Sequence, residues 1–135
     1  MGSPCAYKAM ALTAIVLAMA SQGALAQGAV PTYDITGVWD SAGGGTVQMV
    51  QMGDEITMLF VGPDYAHQFG ARYTKSDQAT GRQVRVTRAT GCTTQMLQTF
   101  KVVSYDYVTV KAVALDSNCD LVKGQVITNA LTRVY

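Results

Sequence analysis

The chain is short of charge, of histidine and of tryptophan: only 14% of its 135 residues are Asp, Glu, Lys or Arg, and it has one histidine and one tryptophan. So little charge beside 49% hydrophobic residues excludes a disordered tail and gives room for one domain with its own core. The formal net charge is +1, so no basic excess favours nucleic acid or an anionic lipid surface. A lone histidine, His67, cannot make a zinc site without cysteine or carboxylate partners, and it is read as a surface or hairpin-end residue. Acid/base chemistry is thinly provided for. Glu55 is the one glutamate, and the aspartates fall nearly all at candidate turns, where such side chains bond their own backbone. There is no G-x-S-x-G, no H-E-x-x-H and no phosphate-binding glycine run ending in Lys-Ser or Lys-Thr. The chain is therefore read as a non-enzyme that needs no cofactor and no metal.

Long apolar runs are also missing. Residues 9–20 are apolar but stop short of the ~20 needed to span a bilayer. Lys8 precedes this run, and Ala24-Leu25-Ala26 follows it with a small residue at either end. That is the layout of a secretory signal, with cleavage expected after Ala26 and a secreted or periplasmic product. Cys5 lies ahead of the apolar run, where lipoprotein cleavage would not expose it, so no lipid anchor is expected. Removing 26 of the 135 residues leaves 109, and the three cysteines fall to one pair, Cys92 and Cys119. An even pair bound for an oxidising compartment is expected to form a disulfide.

Nothing in the remainder repeats at the helical period of 3.6. After a linker at residues 27–33, short segments rich in valine, threonine and aromatics are separated by Gly, Asp, Asn and Pro. Eight strands are expected at residues 35–40, 46–52, 55–61, 68–74, 83–90, 94–104, 107–115 and 125–134. Short links such as Gly53-Asp54 and Tyr105-Asp106 favour antiparallel neighbours. The expected fold is all-β: a roughly eight-stranded antiparallel up-and-down barrel over residues 34–135, with a β-sandwich as the alternative.

Alternation assigns faces to these strands. Val84 and Val86 are expected on the dry side of their strand, with Gln83 and Arg85 on the wet side. Val108, Val110, Ala112 and Ala114 form another dry face, and the small side chains at 112 and 114 leave space inside a barrel. Ile56, Met58 and Phe60 share a face, but Thr57, Leu59 and Val61 opposite are apolar enough for that strand to be covered on both sides. Arg82, Arg85 and Arg88 are read as solvated. Tyr105, Tyr107, Thr109 and Lys111 line up as an outer face suited to contact with another protein.

Gly37-Val38-Trp39 on the first strand resembles the G-x-W signature that opens the barrels of the calycin group, which includes lipocalins and avidins. The resemblance implies that Trp39 closes one end of the barrel. It also implies that a basic residue of the last strand, here Arg133, packs across the indole as a cation-π contact. Avidins stack biotin between several tryptophans, whereas this chain has one. Phe69-Gly70-Ala71-Arg72-Tyr73-Thr74 resembles the S-G-x-x-Y segment of periplasmic lysozyme inhibitors, with phenylalanine in place of the serine. The expected function is binding of a small apolar ligand in the barrel interior, against Trp39, Met58, Phe60, Phe100 and Val110, with the mouth gated by Gly43 to Gly45. The alternative is a protein partner, a protease or lysozyme inhibited through exposed loops.

Overall fold

Residues that alternate between β-branched or aromatic and polar side chains form a half-buried pleat, and the turn residues between them are too few to let neighbouring strands run parallel. The computed structural model describes residues 28–119 and 121–135. The expected signal peptide, its cleavage point and Asp120 lie outside them. The strands are β1 (Gly37–Ser41), β2 (Thr46–Met52), β3 (Glu55–Val61), β4 (Tyr65–Lys75), β5 (Gln78–Thr87), β6 (Thr93–Ser104), β7 (Tyr107–Ser117) and β8 (Val126–Arg133). Each pairs antiparallel with the next. β8 returns to β1 through Trp39↔Arg133, Asp40↔Thr132 and Ser41↔Leu131, so the sheet is a closed eight-stranded barrel. A barrel of this strand number has an interior just wide enough to be filled by side chains or to hold one small ligand. It is consistent with a calycin-like fold in general.

Strands β2 and β3 have the expected bounds, whereas β4 and β5 both start earlier than their alternation alone indicates. The expected loop over residues 76–82 shrinks to the two residues Ser76 and Asp77, because pairing continues through Ala71↔Gly81 and Arg72↔Thr80. Gly81, which lies between the expected strands 68–74 and 83–90, is a strand residue. A Cβ there would lie 1.9 Å from the carbonyl oxygen of Gly70, so the missing side chain is what lets the two backbones approach. The longer β4 also takes in His67.

Two face assignments are corrected. On β5 the inward residues are Ala79, Gln83 and Arg85, and Val84 is exposed. The register of Ala79 opposite Phe100 and Tyr73 fixes the inward series, and period-two alternation then carries Gln83 and Arg85 inside. On β3, Ile56, Met58 and Phe60 point inward, while Leu59 and Val61 are exposed rather than covered.

The two ends of the barrel differ. One end carries the turns at residues 53–54, 76–77 and 105–106 together with residues 28–36 and 134–135, and forms the floor. Ile35, Trp39, Phe69, Tyr73 and Phe100 are fully buried in one cluster that fills this half, and the Phe69 and Phe100 rings meet edge to face at 4.8 Å. Residues 28–33, expected as a linker, lie against the floor: Ala29 N–H donates to the Tyr73 carbonyl at 3.1 Å and Thr32 N–H to that of Ser76 at 2.8 Å. The Trp39 indole N–H donates to the Ile35 carbonyl at 3.1 Å. The Arg133 guanidinium sits 4.6 Å from the Trp39 ring and 4.0 Å from that of Tyr105. It also donates to the carbonyls of Tyr105, Thr36 and Asp34 at 2.9, 2.7 and 2.8 Å.

Candidate functional site

The upper half, toward the loops at residues 42–45, 62–64, 88–92 and 118–125, is built differently. Here the inward positions carry Gln83, Arg85, Thr94 and Gln98, all buried, beside the small residues Ala112 and Ala114. Bulk is short, and an interior cavity of about 70 Å³ remains. That is room for a few ordered waters or for a group of a few heavy atoms. Its apolar wall includes Met58, Phe60, Met96 and Val110, and its polar side is made by His67, Gln83, Arg85, Gln98 and Asn129.

Local pairing explains why these polar groups converge. His67 and Arg85 face each other across β4 and β5, and Gln83 stands opposite Met96 on β6. The Arg85 guanidinium stacks on the Tyr65 ring at 3.9 Å, and the Phe60 ring lies 4.6 Å from the His67 imidazole. The Gln83 amide nitrogen is hydrogen-bonded to His67 Nδ1. With the amide nitrogen toward the ring, Nδ1 accepts and the proton of the neutral ring sits on Nε2; with the amide turned over, its oxygen takes the Nδ1 proton and Nε2 becomes an acceptor. Asn129 is held in place: its amide donates to the Ser41 hydroxyl at 2.7 Å and its oxygen accepts from Ala130 N–H at 2.8 Å. Three polar atoms of the cavity wall are buried without a partner, namely His67 Nε2, Arg85 Nε and Gln98 Oε1.

The imidazole of His67 is pushed down to a pKa of about 4, chiefly by burial and further by the positive charge of Arg85. Arg85 and Tyr65 are the titratable groups facing it. Between pH 4 and the ordinary histidine value of 6.5, the unfolded chain binds a proton that the folded chain does not. The contribution of His67 to stability is therefore flat above about pH 6.5, falls as the pH is lowered through this window, and levels again below about 4, a loss of roughly 3 kcal/mol. Urea unfolding of the wild type and of His67→Gln at a series of pH values isolates this contribution as the difference between the two curves. Parallel curves would show that His67 titrates normally.

Of the residues expected to bind a ligand, Met58, Phe60 and Val110 line the cavity. Trp39 and Phe100 are not among its lining residues; both are fully buried in the hydrophobic cluster of the floor half. Arg133 lies at the floor and closes the barrel there. Cys92 and Cys119 form the expected disulfide. Gly43 to Gly45 turn over the top, where a Cβ on Gly45 would come within 2.9 Å of the Phe60 ring and 2.8 Å of Gly62. His67, Gln83, Arg85 and Gln98 were missed as site residues. The Tyr107, Thr109 and Lys111 face borders a wide open groove along β6 to β8, which shares Val110 and Asn129 with the cavity lining. Comparison with protein-family models, with curated proteins and with solved structures finds no match.

Proposed function

We propose that this chain is a secreted or periplasmic, non-catalytic binding protein that takes a small ligand into the upper half of the barrel. One observation carries the reading: buried polar atoms without partners converge on an interior space whose other walls are apolar. Binding sites are commonly built this way, with apolar walls supplying contact and a few polar groups fixing orientation. Unpartnered buried polar atoms cost roughly 1 to 3 kcal/mol each, a cost that a ligand bonding to them removes. At about 70 Å³ the space is well below the roughly 300 Å³ where drug-sized pockets begin, so the occupant is a group of a few heavy atoms, alone or at the end of a longer ligand. Met58, Phe60 and Val110 supply the apolar contact expected from the sequence.

Methyl-labelled methionine gives a direct test. Met58 and Met96 line the cavity, Met49 belongs to the packed floor half and Met52 is exposed. Titration with a library of small polar fragments should give saturable shifts at the Met58 and Met96 methyls while Met52 stays still. No response at either cavity methyl across the library would sink the reading. The compartment rests on the sequence of residues 1–26 and on the disulfide. The chain expressed from Met1 in a Gram-negative host should be recovered outside the cytoplasm beginning at Gln27; recovery from the cytoplasm with Met1 retained would contradict it.

A further inference from the structure

We infer that the interior cavity is a carboxylate site, in which Arg85 supplies the charge and His67 and Gln98 supply further hydrogen bonds to a small organic monoanion. This rests on the proposed reading of the cavity as a ligand site and narrows its chemistry. Charge is the first observation. Arg85 is only 8% exposed, and a guanidinium cannot shed its proton, so folding places a fixed positive charge inside the barrel. The two ion pairs found among the described residues both belong to Arg72, whose partners are Asp54 and Glu55. The cavity lining includes no carboxylate. Tyr65 stacks on the guanidinium face and holds its plane, but a ring face does not satisfy the in-plane N–H groups.

Donor geometry is the second observation and is independent of the charge. Arg85 Nε–H is a buried donor with no acceptor, and His67 Nε2 is another when the Gln83 amide nitrogen faces Nδ1. The Gln98 amide also faces the cavity with its oxygen unpartnered, and turning that amide over presents its NH₂ instead. One fixed donor, Arg85 Nε–H, with His67 Nε2 and the Gln98 amide able to turn their donors toward the same space beside a single cation, suits an acceptor-only, negatively charged group. Water can meet the hydrogen bonds but leaves the charge uncompensated.

Charge balance and shape then select among anions. Arg85 is the one permanently charged residue in the lining, and His67 is neutral near pH 7, so a monoanion is neutralised where a phosphate dianion would carry excess charge. The planar guanidinium matches the planar carboxylate. The wall of Met58, Phe60 and Val110 leaves space for a short alkyl stem.

The test uses the disulfide-bonded chain at pH 7 in a carboxylate-free buffer, with propionate and its neutral isostere propionamide as probes, read at the Met58 and Met96 methyls. Propionate should saturate at a concentration at least about tenfold below propionamide, reflecting the charge-assisted bonds. Arg85→Met should lose about tenfold or more in propionate affinity, leave propionamide nearly unchanged, and raise the melting temperature of the ligand-free protein by removing an unbalanced buried charge. If Arg85→Met does not fold, Arg85→Lys, which keeps the charge but loses the planar fork, should weaken propionate alone. Equal affinity for the two probes, or propionate binding unaltered by these substitutions, overturns the carboxylate assignment while the cavity remains a ligand site. Silence of both methyls toward both probes overturns the ligand site with it.

Discussion

Trp39→Ala is expected to lower the unfolding free energy by about 4 kcal/mol, the largest loss among the substitutions considered, because a fully buried tryptophan leaves a void that a closed barrel cannot collapse to fill. Its ring is fixed from three directions. Ile35 and the core lie inside, the Ile35 carbonyl takes the indole proton at 3.1 Å, and Arg133 covers the outer face at 4.6 Å. Arg133→Ala should cost about 2 kcal/mol, since it removes the cation-π contact together with hydrogen bonds to three carbonyls from two chain segments. Part of that cost depends on Trp39. In a double-mutant cycle by urea unfolding, the two losses should fall short of additivity by about 1 kcal/mol. Strict additivity would mean that Arg133 works through its carbonyl bonds and the Tyr105 ring, and the first strand would then be locked to the last without help from the indole.

The floor was legible through a resemblance: Gly37-Val38-Trp39 near one end of the chain implied a basic residue of the last strand across the indole, and the register sets Arg133 beside Trp39. The upper half was not, and the reason lies in β5. In Gln83-Val84-Arg85-Val86 the apolar set and the polar set each alternate cleanly, so hydrophobicity favours valine inside. What decides the face is the neighbouring strands. On β4, Tyr65, His67, Phe69, Ala71 and Tyr73 alternate as one series whose aromatic members must go inward, which takes the histidine with them. On β6, Gln98 stands in the same way between Met96 and Phe100. A polar residue at an inward position of an apolar series is the mark of this site, and His67 and Gln98 both carry it. Arg85 does not, because its position shows only once β4 and β6 are paired to β5. The spare volume was half legible: Ala112 and Ala114 announced it, but the polar side that borders it could not be read without the register.

Replacing Cys92 and Cys119 by serine is expected to lower stability by about 3.5 kcal/mol, the loop-closure value for a bridge joining residues 27 apart. The bridge ties the β5–β6 loop to the β7–β8 loop at the top of the barrel, where Thr93 N–H donates to Asn118 Oδ1 at 2.8 Å and Cys119 N–H to the Ser117 hydroxyl at 3.0 Å. Leu121, beyond the bridge, packs on the cluster of Met96, Ala112 and Ala114 that borders the cavity. Loss of the covalent tie should therefore be felt first at the site and last at the floor. The Met96 methyl resonance should shift or broaden in the double-serine variant under native conditions, while Trp39 fluorescence stays that of a buried indole until the whole barrel unfolds. A variant that loses less than about 1 kcal/mol, with Met96 unmoved, would mean that strand pairing alone holds the top. If the expected loss is found, a packed floor and a bridged top divide the work: Trp39 and Arg133 hold the barrel closed, and the disulfide keeps the loops around a polar, loosely filled interior from opening.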